Sequence, residues 1–328
     1  MKRYLVVLVA FFVTILTVIA VFTWQNNQNS SQSSEKDLVV VTTIFPLYDI
    51  VRAVGGDNVR VSMLIPPGVE IHHFEPTPSD IISISKSDVF IYLGDYLEPW
   101  AQDVVQPLNK DANQILAAGQ TITLLEGAKL HENEEDEHEE DVEHEDEHEH
   151  EQDPHVWLDF ENTATMTTII ADRLSILDPD NASSYRANAG AHRAKLQALD
   201  ETYKQTLSTC QSNTIIYGGH YAFGYLANRY GLSYMAAQGF SPDAEPTATD
   251  IALLARQIKD NNIRYVFYEK LESERIAMTL TKETGATLLA LQAAHNISAK
   301  DLDKGTTFID MMNDNLSNLR TGLSCTYE

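Results

Sequence analysis

FENTATMTTIIADRLSILDPDNASSYRANAGAHRAKLQALDETYKQTLS, residues 160–208, reads as helix along almost its whole length and breaks only at Asp178-Pro179-Asp180. Proline has no N–H to donate and crowds the turn before it, so the break is sharp. The piece beyond it, Asn181 to Ser208, would be about 42 Å long at 1.5 Å per residue. A helix of that length suits a strut between two lobes better than a crossover within one sheet.

On both sides of this helical stretch the chain alternates short apolar, β-branched runs with segments of helical period. Upstream come LVVVTTIF (38–45), a helix from Pro46 to Gly-Gly at 55–56, VRVSMLIP (59–66), a helix over 79–87 capped by Ser79 or Asp80, DVFIYLG (88–94), a helix over 96–108 and TITLL (121–125). Downstream come NTIIYGG (213–219), a helix over 221–230, LSYMAAQ (232–238), a helix over 247–261, IRYVFYE (263–269), a helix over 273–284, ATLLALQ (286–292) and a last helix over 306–319. Strands separated by helices imply parallel pairing in layered α/β units. The fold class is therefore α/β: two similar parallel-sheet lobes joined by one long rigid helix, with a site in the cleft between them. No repeat in the sequence relates the two lobes. The boundaries expected are a first lobe from 38–126 continued over 153–180, an insertion at 127–152, the connecting helix at 181–209 and a second lobe at 210–328.

Of the formal charge of −25, fourteen acidic residues between His131 and Glu151 account for more than half, leaving −11 for the rest. A moderately acidic body disfavours nucleic acid and favours small cations as partners. Residues 1–24 pair Lys2 and Arg3 with about twenty uncharged, mostly apolar residues, which marks the chain for export. The run fits either a signal peptide or an N-terminal membrane anchor, and places the body on the outer, periplasmic or cell-surface side. A polar tether follows over 25–37. Cys210 and Cys325 are the only cysteines. In an exported chain such a pair reads as a disulfide, with two buried thiols as the alternative.

Four histidines stand where a strand has just ended or a loop turns back, the edge at which open α/β sheets bind ligands. They are His72 in PPGVEIHHFEPTPSD, His155 in DPHVWLD, His220 in IIYGGHYAFGYL and His295 in LLALQAAHNIS. Each alone is a weak signal. Two from each lobe in one topological role point to a bound metal, and a site rich in imidazole selects zinc over manganese or magnesium. Tyr217, Tyr221, Phe223 and Tyr225 around His220 read as core or pocket wall, and Asp243 and Glu245 as loop residues.

These residues carry a resemblance. From Leu38 to Leu323, the acidic tract excepted, the chain resembles the zinc/manganese-type metal-ion solute-binding proteins of ABC transporters, and in particular the high-affinity zinc uptake branch. The family's Pro-Gly…His-aromatic-Glu-Pro motif stands here as PGVEIHHFEP, and its Asp-Pro-His-x-Trp-Leu motif as DPHVWL. The resemblance implies metal ligands at His72, His155 and His220, with His295 fourth and Glu269 as runner-up. It implies Zn2+ as transported ligand, a membrane permease as partner, a monomer, and no enzymatic activity. Ile71 departs from the family's usual polar residue or proline before the first ligand.

The tract over 131–151 would be solvated and without a core. Its imidazoles, His131, His138, His144, His148 and His150, suit weak accessory metal binding that raises local zinc near the cleft. The rival readings are a manganese or iron protein of the same family, a metal-dependent surface adhesin, and a zinc hydrolase, for which no HExxH motif or general base is evident.

Overall fold

Two four-stranded sheets are built on one plan. A computed structural model describes residues 37–125, 152–240 and 245–326. The apolar run at 1–24, the tether as far as residue 36, Asp243 and the histidines of the acidic tract lie outside them. The first lobe holds β1 (Leu38–Thr42), α1 (Phe45–Gly55), β2 (Val59–Met63), α2 (Pro78–Lys86), β3 (Val89–Tyr92), α3 (Trp100–Val105) and β4 (Ile115–Ala117). Then come α4 (Phe160–Leu177) and the long α5 (Ala182–Leu207), separated by a 3-10 turn at Pro179–Asn181. The second lobe holds β5 (Thr214–Tyr217), α6 (Gly224–Tyr230), β6 (Ser233–Ala236), α7 (Ala248–Asp260), β7 (Tyr265–Tyr268), α8 (Arg275–Thr284), β8 (Thr287–Ala290), α9 (Ala299–Asp303) and α10 (Phe308–Gly322). All pairings are parallel, in the order β2-β1-β3-β4 and, again, β6-β5-β7-β8. A structural repeat is thus present that the sequence does not display.

Three details differ from the sequence reading. TITLL does not close the first sheet. Ile115–Ala117 does, pairing with Phe90–Tyr92, and the chain then turns away through buried Gly119, where an added Cβ would strike Leu93 O at 2.9 Å. The alternation of TITLL is genuine, but among the described residues no strand pairs with it. The cap of α2 is Thr77, not Ser79 or Asp80: Thr77 and Asp80 form a capping box, and Pro78 takes the first helical position, where its missing N–H costs nothing. The five-residue α9, too short for a periodic signal, was not anticipated.

The strut touches both lobes. Near its start Asn188 Nδ2 donates to Val54 O, at the end of α1, at 3.0 Å, and near its end buried Tyr203 donates to Met312 O on α10 at 2.6 Å. Asp200 receives a two-pronged hydrogen bond from Arg229 on α6, Nε to Oδ1 at 2.7 Å and Nη2 to Oδ2 at 2.8 Å, while Arg229 Nη1 reaches Asp159 at 3.0 Å. The lobes are tied directly as well, because Phe308 N donates to the buried carboxylate of Asp49 at 2.9 Å. One apolar core, including Val40, Phe45, Trp157, Tyr217 and Leu319, is continuous across the contact.

Cys210 and Cys325 form a disulfide that closes a loop of 115 residues and fastens the end of α5 to the segment after α10. It sits at the amino end of β5, whereas His220 follows the carboxyl end. Replacing both cysteines by serine should therefore cost about 2–5 kcal/mol of unfolding free energy in urea titrations, with metal affinity unchanged. A tenfold loss of affinity would contradict this separation of roles.

Candidate metal centre

Each candidate histidine is delivered by a segment with a local reason for its position. His72 lies on the β2–α2 loop, whose Pro66-Pro67-Gly68 turn uses the left-handed conformation at Gly68 (φ +80°). Asn296, from the second lobe, clasps that turn: its Nδ2 donates to Pro66 O at 3.0 Å and to Val69 O at 2.5 Å, and its Oδ1 accepts from Gly68 N at 3.3 Å. His155 opens the 3-10 turn Val156–Leu158, whose three side chains are all fully buried. His220 follows β5 after two glycines. At Gly218 an added Cβ would lie 2.6 Å from Ala277 Cα, so only glycine lets the strand end press against α8. His295 follows β8, with Ala294 in the left-handed region at φ +56°.

Three of the four converge. Nε2 of His155 and Nε2 of His220 are 3.2 Å apart, both buried. The His72 ring centroid lies 5.4 Å from that of His155 and 5.1 Å from that of His220. The ligand atoms of these three residues all lie within 4.8 Å of one another. Tetrahedral zinc with bonds of about 2.0–2.1 Å requires its nitrogen ligands about 3.4 Å apart, close to the 3.2 Å between His155 and His220.

Behind each imidazole stands a carboxylate at Nδ1. His72 meets Glu70 at 2.5 Å, His155 meets Asp153 at 2.7 Å and His220 meets Glu272 at 3.0 Å. Glu70 and Asp153 stand two residues before their histidines, and each also accepts the backbone N–H of that histidine at 2.9 Å. A carboxylate at Nδ1 fixes the tautomer with the proton there, which bares Nε2 as a lone pair for a metal. Two bare nitrogens 3.2 Å apart repel unless a cation lies between them.

The electrostatics fit a buried site awaiting positive charge. Burial, reinforced by the charges of His220, His72 and His295, pushes His155 well below the usual histidine value. Burial likewise pushes Asp153 up to about 8, against the backbone hydrogen bond from His155. Glu70 goes the other way: burial would raise it, but the hydrogen bond from His72 and the neighbouring imidazole charges bring it down to about 2. His220 is opposed by burial yet ends raised, because Glu272 bonds to it and is negative. A dication at the Nε2 atoms favours the neutral imidazoles and the anionic carboxylates together.

His295 stands beside this trio. Its ring lies 5.8 Å from that of His220 and 6.1 Å from that of His72, and its ligand atoms group with those of His220 and Glu272. Glu269 is not brought to the site as a ligand: its Oε1 accepts from Lys270 N at 2.9 Å and its Oε2 from Ala293 N at 2.6 Å. Oε2 thereby braces the His295 loop, while Oε1 caps its own chain neighbour. His73 is exposed, and Glu245 pairs with Arg275 on the surface at 2.8 Å. Tyr217, Phe223 and Tyr225 are buried wall residues.

The sequence reading missed the three backing carboxylates. Two had a signal, the acid-x-His spacing that occurs at both His72 and His155. Glu272 shares the strand-end position that brought Glu269 to attention, three residues further on, but nothing in the sequence aims its side chain at a residue 52 positions earlier.

The two ends of the acidic insertion meet on the fold. Asp153 N donates to Leu125 O at 2.9 Å, and Tyr225 of the second lobe accepts from Leu125 N at 2.9 Å. The described residues that flank the tract, Leu125 and Asp153, therefore meet at one point, at the carboxylate that backs His155.

Residues 40–322 match the family described as zinc-uptake complex component A, periplasmic. The chain is 37% identical over 298 residues to the high-affinity zinc uptake system protein ZnuA of Bacillus subtilis (strain 168), covering 91% of each. It is 34% identical over 302 residues to the zinc-binding protein AdcA of Streptococcus pyogenes serotype M3, of which it spans 58%. Among solved structures, the Zn(II)-bound ZnuA-like domain of Streptococcus pneumoniae AdcA superposes with a TM-score of 0.72 at 32% identity, over 88% of this chain and 99% of that one. The metal-dependent lipoprotein YcdH from Bacillus subtilis does so with a TM-score of 0.73 at 34% identity, over 87% and 99%.

Proposed function

The chain belongs to the zinc-uptake complex component A family, and from that premise we propose that His72, His155, His220 and His295 hold the Zn2+ that it captures. The protein is the extracytoplasmic zinc-binding component of an ABC importer, and zinc is its cargo rather than a catalytic cofactor. The family is one of transport components and not of enzymes. Its partner is a membrane permease; we further read the protein as a monomer that docks as a single zinc-loaded unit.

The observation that carries the site assignment is the convergence of three buried Nε2 atoms, each with Nδ1 held by a carboxylate. Imidazoles make the site neutral, so Zn2+ enters without burying further anionic charge. His72 and His155 come from the first lobe, His220 and His295 from the second. Bound zinc thus joins the lobes and stabilises the closed fold by linkage. With Asn296, Trp157 and Tyr225 already spanning the contact, the opening that admits the ion is small.

Calorimetry of the intact chain tests the assignment. One tight zinc site is expected, retained when residues 131–151 are removed, since the flanking ends already meet; the weaker heat of accessory sites should go with the tract. Affinity should fall with pH, because protons compete for Nε2. His220 has the raised value, so competition begins at or above the ordinary histidine pKa of about 6.5. It steepens toward about a tenfold loss per pH unit for each competing proton. His155, held well below that value, joins only in stronger acid. A dissociation constant flat from pH 5 to 8 would exclude imidazole ligation, and loss of the tight site with the tract would relocate it.

A further inference from the structure

Glu272 is placed unlike the other two carboxylates of the site. Glu70 and Asp153 belong to the same loops as the histidines they hold, whereas Glu272 comes from the β7–α8 loop and meets His220 across the second lobe. Its Oε2 accepts from His220 Nδ1 at 3.1 Å. Its Oε1 is buried, lies 3.0 Å from the same His220 nitrogen without completing a hydrogen bond, and is 4.0 Å from Nε2 of His295. Nδ1 of His295 is also buried and without a partner.

These positions give His295 a polarity opposite to that of the trio. In a ligating histidine the nitrogen that faces a carboxylate keeps its proton, and the other nitrogen takes the metal. For His72, His155 and His220 the nitrogen at the carboxylate is Nδ1. For His295 it is Nε2, which leaves Nδ1 as the lone pair. Glu269, the other acid near this loop, has each oxygen on a backbone N–H, of Lys270 and of Ala293, rather than on His295.

We propose that Glu272 is the positioning residue for two ligands at once, orienting His220 to bind through Nε2 and His295 to bind through Nδ1. One carboxylate thereby couples the fourth ligand to the other three: Oε1 has only to close on the His295 N–H as the ion arrives. The inference rests on the zinc-site reading above and deepens it.

Glu272→Gln separates the two jobs. The amide oxygen still accepts from His220, while the amide nitrogen, a donor, cannot accept from His295. Zinc affinity, measured by chelator competition, should drop about ten- to a hundredfold. The protein loaded with Co2+, whose visible bands weaken as water replaces a nitrogen ligand, should give the spectrum of His295→Ala. The double variant Glu272→Gln, His295→Ala should bind no more weakly than the weaker single one, because the residues act as a unit. Glu272→Gln with wild-type affinity and spectrum would overturn the proposal. So would losses that multiply in the double variant, or X-ray absorption showing an oxygen ligand lost on that substitution, which would make Glu272 a ligand itself. His72→Ala separates the two levels. If it binds zinc as tightly as the parent, the site reading fails; if it loses binding while Glu272→Gln does not, only the positioning role fails.

Discussion

His155→Ala lowers zinc affinity by about a hundred- to a thousandfold. Zinc held by four protein ligands binds with about 10–16 kcal/mol. Shared equally, each ligand is worth about 2.5–4 kcal/mol, and about 1.4 kcal/mol is a factor of ten. His155 should fall at the upper end of that range. It is fully buried, it lies 3.2 Å from His220 Nε2, and Asp153 grips both its ring and its backbone N–H. Alanine leaves Asp153, already carrying one unpartnered oxygen, with no imidazole to hold, and water is a poor substitute in so closed a position. Chelator competition measures the loss, with thermal unfolding of the metal-free protein as the control for folding. His73→Ala, one residue from His72 but exposed, should bind as the parent does. A loss below tenfold in His155→Ala would remove that residue from the ligand set.

Trp157→Ala destabilises the metal-free protein by about 3–5 kcal/mol, the usual cost of emptying a buried tryptophan site. The side chain has no exposed surface, and its Nε1 donates to Ala293 O at 2.7 Å, 136 residues away. That bond fastens the His155 turn of the first lobe to the His295 loop of the second. The ring also packs edge-on against His155, with centroids 5.3 Å apart. The substitution therefore loosens two of the proposed ligands together, and zinc affinity should fall along with stability. Trp157→Phe separates packing from hydrogen bonding: it keeps most of the apolar contact but leaves the Ala293 carbonyl unpaired in the interior, at about 1–3 kcal/mol. Urea unfolding and zinc titration of both variants give the comparison. A Trp157→Ala protein that loses stability but keeps full zinc affinity would show that the turn holds its shape without this tie.

The strands and helices were legible because each is a short local pattern. LVVVT is β-branched and mostly buried, Thr247 and Asp250 announce the cap of α7, and Pro179 ends α4 whatever surrounds it. Misreadings occurred where a neighbour decides. TITLL has strand alternation and no partner strand among the described residues, and α9 is stabilised by Ser298 at its start rather than by any period. The repeated strand order was invisible because a parallel sheet asks for buried apolar runs, not for particular residues, so two lobes can share a plan without sharing a sequence.

The same division runs through the site. By itself the sequence determined that the chain is two α/β lobes with a helical strut, and that His72, His155, His220 and His295 stand at strand ends and turns. Strand pattern, helix breaks and loop positions are properties of neighbouring residues, and that is where sequence order is informative. Only the tertiary structure decided that a carboxylate stands at Nδ1 of His72, His155 and His220, that Glu269 braces a loop while Glu272 faces two imidazoles, and that ligand atoms of those three histidines come within 4.8 Å of one another. Those outcomes depend on distances of a few ångströms between segments tens to hundreds of residues apart. Such distances are set by the packing of the two lobes against α5 and against each other, through Asn296, Trp157 and Tyr225.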